Sequence, residues 1–182
     1  MITVGGKPGS GKSTVTKILA EMLAYERIAI GDMKRKLAEE MWLSISESNK
    51  LGEEPGNAEK FDVAYEKYQQ SLAPDGPIIL ESRMSYYNQP HAFKVFLDVD
   101  DREAAKRIFV AQRTTDPNTS LDEVHTITTT RNKEDQIRRS ALYGSDFMDL
   151  TQYDLVIDTT HLTPQEVVDR IATGYQDWKK KE

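Results

Sequence analysis

The sequence predicts an α/β fold: a largely parallel five-stranded sheet with helices on both of its faces. Short apolar runs alternate with longer stretches whose apolar residues recur at helical spacing. The first apolar run leads straight into a glycine-rich loop, and that loop leads straight into a helix pattern. No linker, repeat or low-complexity tract divides the 182 residues, a length that suits one domain with its own core.

The elements follow in order. Met1-Ile2-Thr3-Val4 reads as a short buried strand. Thr14 to Ala24 reads as a helix, with Val15, Ile18, Leu19 and Met22 on one face. Arg27-Ile28-Ala29-Ile30 is a second strand. Gly31-Asp32 opens a helix to about Trp42, with Leu37, Ala38 and Met41 as its apolar stripe. Residues 44–57 are polar and carry Gly52, Pro55 and Gly56, which reads as helix, loop and break, expected to be mobile. Phe61, Ala64, Tyr65, Tyr68 and Leu72 recur at helical spacing and are read as packing residues. Pro74-Asp75-Gly76-Pro77 is a turn, and Ile78-Ile79-Leu80 a strand that ends in Glu81-Ser82-Arg83.

Phe93 to Val99 is a fourth strand, after which Asp100 or Asp101 caps a helix to about Arg113. Thr114 to Ser120 contains Asp116-Pro117-Asn118, a break. Ser120 and Glu123 have capping-box spacing and begin a helix to about Leu142, against the poor helix propensity of Thr126 to Thr130. Asp154 to Asp158 is the last strand. Thr163-Pro164 starts the final helix, with Val167, Val168, Ile171 and Ala172 inward and a Lys179–Lys181 tail.

Composition narrows the function. With no cysteine, the chain has no disulfide, thiolate zinc site or cysteine nucleophile. The histidines His91, His125 and His161 are scattered and form no metal-ligand pattern. Trp42 and Trp178 are expected to pack rather than to stack on a base. No signal-peptide pattern opens the chain and no apolar run is long enough to span a membrane, so a cytoplasmic protein is expected. A net charge of −6 argues against a general nucleic-acid binder, but leaves room for a small phosphorylated ligand held by a local basic cluster.

The chemistry centres on Gly6-Lys7-Pro8-Gly9-Ser10-Gly11-Lys12-Ser13, which fits the phosphate-loop pattern in its required context of strand, loop and helix. Glycines let successive N–H groups turn inward onto a phosphate, and the following helix adds the positive end of its dipole. Gly6, Lys7, Pro8, Gly9, Ser10, Gly11, Lys12, Ser13 and Thr14 are therefore the expected ATP-binding residues. Lys12 would sit between the β- and γ-phosphates, and Ser13 would offer its hydroxyl to Mg²⁺.

Further motifs carry a family resemblance. Gly31-Asp32-Met33-Lys34-Arg35 looks like the start of the nucleoside monophosphate site of adenylate-kinase-like enzymes. Glu81-Ser82-Arg83, directly after a strand, resembles that family's acidic residue, small residue and arginine. Arg131-Asn132-Lys133-Glu134-Asp135-Gln136-Ile137-Arg138 resembles the Arg-Asp-x-x-Asp-x-x-Arg signature of cytidylate kinases, matching at Arg131, Asp135 and Arg138. Ile157-Asp158-Thr159-Thr160 with Leu162 to Val168 resembles the last strand and helix of the same family. Ala141-Leu142-Tyr143-Gly144 and Tyr153-Asp154-Leu155-Val156 look like the compact archaeal-type enzymes. Three positions depart from the pattern: Asn132 stands for the signature's first Asp, Met84 for a bacterial Asp that helps read cytosine, and Ser82 for a common Gly. These bear on base selectivity more than on phosphoryl transfer.

The resemblance implies a three-layer P-loop fold of the nucleoside monophosphate kinase type. Its core would be about 1–43, 77–113 and 143–182, its acceptor-binding helical insert about 31–76, and its lid about 114–131. It implies ATP-dependent phosphorylation of CMP or dCMP by a monomer, within pyrimidine nucleotide metabolism. Asp32, Arg35, Arg83, Arg131, Asp135 and Arg138 would bind the acceptor, with Asp135 at its sugar. Ser13, Asp32 and Glu81 would hold Mg²⁺, the carboxylates through water. Lys12, Arg113 and Arg131 are the expected catalytic residues, with Arg107 or Arg113 approaching from the lid. Two alternatives stay open: a kinase for AMP, UMP or a non-nucleotide, and a regulatory ATPase that couples hydrolysis to a partner.

Overall fold

The computed structural model describes residues 1–42, 62–112 and 120–181. Its centre is a parallel five-stranded sheet in the order β2-β3-β1-β4-β5. The strands are β1 (Ile2–Gly6), β2 (Glu26–Ala29), β3 (Ile78–Glu81), β4 (Phe93–Asp98) and β5 (Leu155–Asp158). Register pairs Val4 with Glu81 on one side of β1 and Gly6 with Leu97 on the other. The loop that leaves β1 therefore emerges between the ends of its two neighbours, where open parallel sheets bind ligands.

Strand alternation assigns the faces. Ile2, Val4, Ile79, Val95, Leu97 and Ile157 pack against α1 (Lys12–Leu23) and α7 (Pro164–Lys179), whose Val15, Leu19, Val168 and Ile171 complete that core. On the opposite face Met1, Ile28, Ile78 and Leu80 form a second cluster, against which Tyr65 and Leu72 pack. Tyr65 belongs to α3 (Asp62–Ser71). Phe96, pointing away from Val95 and Leu97, joins Met84, Tyr86 and Phe147 in a third cluster. The remaining helices are α2 (Ile30–Glu40), the short α4 (Ser85–Asn88), α5 (Asp101–Gln112) and α6 (Leu121–Tyr143). Among the described residues, no helix is long and apolar enough to cross a membrane.

Helix ends follow local chemistry. Ser120 and Glu123 form the expected capping box at α6, and Thr163 and Glu166 form another at α7, with proline in its first turn. The threonine run does not interrupt α6. Thr126 Oγ1 donates to Asp122 O at 2.9 Å and Thr129 Oγ1 to His125 O at 2.8 Å, so two hydroxyls bond inside the helix instead of competing with it.

The structure departs from the sequence reading in three places. Ile30 starts α2 rather than ending β2: it is apolar and buried in both settings, which hides the boundary. The helix α4 and a 3₁₀ turn at Leu150–Gln152 were not expected, because elements this short show no period. Trp178 packs on Phe93 and Tyr175 as expected, whereas Trp42 is 95% exposed. It follows α2 at a positive φ of 58°, which turns it away from the core. Residues 121–131 are the first turns of α6, the helix expected from the capping-box spacing of Ser120 and Glu123. The polar stretch 44–57, Phe61 and the break at Asp116-Pro117-Asn118 lie outside the described residues.

The end of β1 gives a direct test. Gly6 has φ 139°, and a Cβ there would fall 2.2 Å from the carbonyl oxygen of Leu97. Gly6→Ala is expected to cost at least about 1–3 kcal/mol from backbone strain alone, before that contact is counted. A thermal melt should show a clear fall in Tm; an unchanged Tm would contradict this geometry.

Candidate active site

The loop between β1 and α1 is held by backbone contacts. Lys7 N donates to Leu97 O at 3.1 Å, which fixes the turn out of the strand. Gly9 has φ 73°, and a Cβ there would meet Ala104 O at 2.7 Å, so the loop lies directly against α5. Thr159 Oγ1 is 3.1 Å from Ser10 O and 2.9 Å from Asp98 O, tying the loop to the ends of β4 and β5.

The two loop lysines are placed differently. Lys7 pairs with Asp98 at 3.0 Å and Asp101 at 3.4 Å and donates to Val99 O. Burial opposes its charge, but the two carboxylates outweigh burial and raise its pKa. Its side chain thus braces the loop on β4 and α5. Lys12 curls back over the loop, donating to Gly6 O at 2.9 Å and Lys7 O at 2.5 Å. Burial, with Arg83 adding and Glu81 opposing, pushes the Lys12 ammonium down to about 7.

Beside the loop lies a carboxylate network. Glu81 ends β3, and its Oε1 accepts from Ser13 Oγ at 2.8 Å. Its Oε2 accepts from Thr16 Oγ1 at 2.8 Å and from Arg27 at 2.6 Å. Arg27 also donates to Asp32 Oδ2 at 2.8 Å, while Asp32 Oδ1 holds Arg35. Burial works against the Asp32 charge, yet Arg27 and Arg35 lower its pKa.

Across the cleft, α6 carries the expected signature. Arg83 pairs with Asp135 at 2.7 Å and donates to Asn132 Oδ1 at 3.4 Å. Arg138 pairs with the other Asp135 oxygen at 3.3 Å. Burial, then Arg139, Arg131 and Arg138, push the Arg83 pKa down to about 10 against the attraction of Asp135. The carboxyl of Asp135 is held below its usual range by Arg83, Arg139 and Arg138, although burial opposes this.

The next residue, Arg139, faces the buried carboxylate of Glu66 at 3.7 Å. Tyr143 Oη donates to the same carboxylate at 3.2 Å, and Asn88 Nδ2 donates to it as well. Glu66 therefore joins α3, α4 and α6 behind the arginines.

Lys12 and Ser13 line two clefts that meet at the loop. One continues past Arg107, Ala111, Thr159, Leu162 and Pro164. The other is lined by Arg35, Glu81, Arg83, Arg131, Asp135 and Arg138. The second cleft brings together every expected acceptor residue except Asp32, which contacts it through Arg35. Gly9, Ser10, Gly11 and Thr14 line the first cleft and Pro8 the second. Arg107 also lines the first cleft, tied to Thr159 O at 2.8 Å and Thr160 O at 3.0 Å. Arg113 lies outside the described residues.

Sequence reasoning missed Arg27, Arg139 and Glu66. A charged residue within the apolar run 27–30 was the available signal for Arg27, and adjacency to Arg138 for Arg139. Glu66 offered none.

The donor set fits a hard cation. Ser13 Oγ and the Glu81 carboxylate are adjacent oxygens that could both face a cation, and among the described residues no cluster of three or more His, Cys, Asp or Glu could hold a metal by itself. Few protein oxygens supplemented by phosphate and water is how Mg²⁺ is usually bound.

Sheet order, loop and facing arginines define a phosphotransferase of the P-loop class. Residues 1–161 match the model of the cytidylate kinase-like family, and the chain belongs to that family. It is 36% identical over 170 residues to a cytidylate kinase of Natronomonas pharaonis, covering 92% of this chain and 84% of that one. It is 35% identical over 177 residues to an S-adenosylmethionine-dependent nucleotide dehydratase of Lacinutrix mariniflava, covering 96% of this chain but spanning only 36% of that protein. Its fold is similar to that of a shikimate kinase from Bacteroides thetaiotaomicron, with TM-score 0.58, 17% identity, and 93% and 94% of the two chains covered.

Held at about 7 by burial, Lys12 is expected to make nucleotide binding proton-linked. A phosphate beside its nitrogen favours the ammonium, so a lysine held at about 7 gains a proton on binding above that pH and is already charged below it. The Lys12 contribution to affinity should thus weaken by up to roughly tenfold per unit as pH rises above 7. Calorimetry in buffers of different ionisation enthalpy checks this. Wild-type protein should take up nearly one more proton than Lys12→Met at about pH 8, and the difference should vanish near pH 6.

Proposed function

We propose that this chain transfers the γ-phosphoryl group of ATP to a pyrimidine nucleoside monophosphate, CMP or dCMP. The observation that carries this reading is the arginine cluster facing the loop: Arg35, Arg83, Arg131 and Arg138 line the same cleft as Lys12 and Ser13. An enzyme that only hydrolysed ATP would need no second anion site there. The family match and the cytidylate kinase relatives support the choice of acceptor.

Phosphoryl transfer requires positioning and charge neutralisation more than covalent chemistry. In this reading the loop N–H groups and Lys12 hold the donor phosphates. Arg35, Arg83 and Arg138 grip the acceptor phosphate, since guanidinium forks match its oxygens in a fixed plane. Arg131 and Arg113 neutralise the transferring group. Ser13, and Glu81 and Asp32 through water, would hold Mg²⁺, which would supply positive charge against the donor phosphates. Asp135 takes the sugar hydroxyl. Its pairs with Arg83 and Arg138 support a second duty, holding both guanidiniums in place.

An acceptor panel tests the reading. CMP or dCMP should give the highest kcat/KM in a coupled ADP-release assay, with little ADP released when no acceptor is present. Fast acceptor-independent release would favour the regulatory ATPase, and a preference for AMP or UMP would replace the acceptor.

Single variants divide the roles. Lys12→Ala should lower kcat by roughly 10²–10³ in a folded protein. Arg138→Ala should raise KM for CMP by roughly 10–100-fold, the loss of a charge-assisted contact, with KM for ATP nearly unchanged. Asp135→Asn should be mild if the carboxylate mainly orients arginines, and as harmful as Asp135→Ala if ionised oxygens bind the sugar.

A further inference from the structure

We propose that Arg27 is a positioning residue that couples the metal side of the site to the acceptor side. Its guanidinium is committed in three directions: Nε to Thr16 Oγ1 at 2.8 Å, one terminal nitrogen to Asp32 at 2.8 Å, the other to Glu81 at 2.6 Å. Both carboxylates reach onward through their second oxygens. Glu81 Oε1 accepts from Ser13, the residue directly after Lys12. Asp32 Oδ1 holds Arg35, which lines the acceptor cleft. An unbroken chain thus runs Ser13–Glu81–Arg27–Asp32–Arg35.

The proposal rests on the acceptor role given above to Arg35 and the metal-side role given to Glu81. Its physical basis is the rigidity of the middle member. The Arg27 and Glu81 side chains are only 16% and 10% exposed, so water screens their pair weakly. A planar fork cannot turn toward Asp32 without turning at Glu81. An acceptor phosphate at Arg35 competes with Asp32 for that guanidinium. Any reorientation of Asp32 is then felt at Glu81, and a fixed Glu81 presets Asp32 in turn. Asp32 released from Arg35 draws Arg27 toward itself and loosens the Arg27 hold on Glu81, freeing that carboxylate for a cation. Binding on either side therefore favours binding on the other, by the same factor in both directions. A lysine at position 27 could meet one carboxylate at a time and would not transmit the change.

The test measures linkage rather than turnover. The Kd for CMP is determined by calorimetry with and without the β,γ-imido analogue of ATP and Mg²⁺, in wild type, Arg27→Met and Arg27→Lys. The lysine variant guards against a methionine variant that fails to fold. In wild type the analogue with Mg²⁺ should tighten CMP by at least about fivefold, the low end of ordinary coupling. In both variants this ratio should fall toward one. A ratio that persists in a folded variant overturns the proposal, even if Tm falls, because that result describes a purely structural ion pair.

A second measurement needs no acceptor. The gain in analogue affinity on adding Mg²⁺ should shrink in Arg27→Met, and an unchanged gain overturns the metal-side half. Wild-type protein that takes the analogue but no CMP at any metal concentration overturns the acceptor reading, and the coupling with it.

Discussion

The close backbone approach at the end of β1 is the constraint on which the site depends. Gly6 lies so near Leu97 that no side chain fits, and a Cβ at Gly9 would also fall inside contact distance of Ala104. Those contacts turn the chain at the point where the carbonyls of Gly6 and Lys7 receive Lys12. They also set where α1 begins, and α1 brings Ser13 and Thr16 to Glu81. Because β1 lies between β3 and β4, one register puts the loop, the Glu81 carboxylate and the Asp98 bracing of Lys7 at a single edge of the sheet.

The opposite wall is governed by charge rather than backbone. Burial, and after it the neighbouring Arg139, Arg131 and Arg138, weaken Arg83's hold on its proton. Two arrangements moderate this. Asp135 sits between Arg83 and Arg138, and Glu66 faces Arg139 from the protein side. The compensation leaves a basic surface toward the cleft, which suits an anionic acceptor group.

The fold was largely legible because its signals are local. A phosphate loop between a strand and a helix announces itself in sequence, and each capping box lies within four residues. Boundaries were less legible where one residue suits both neighbouring elements, as Ile30 does. The arginines of the second cleft could be picked out by resemblance, but not their pairing. That Arg83 meets Asp135 and Arg27 bridges Glu81 to Asp32 depends on contacts between residues far apart in the chain. Glu66 was invisible for the same reason: only folding brings Asn88, Tyr143 and Arg139 around an otherwise ordinary helical glutamate.

The placement of the arginines also bears on how fast a ligand arrives. The chain carries a net charge of −6, so its surface as a whole repels anions, while the inner wall of one cleft attracts them. A recessed basic wall on an acidic body concentrates the field at the cleft mouth and guides small dianions inward over about a Debye length, ~8–10 Å at physiological salt. Rising ionic strength screens that field and should slow the arrival of such anions.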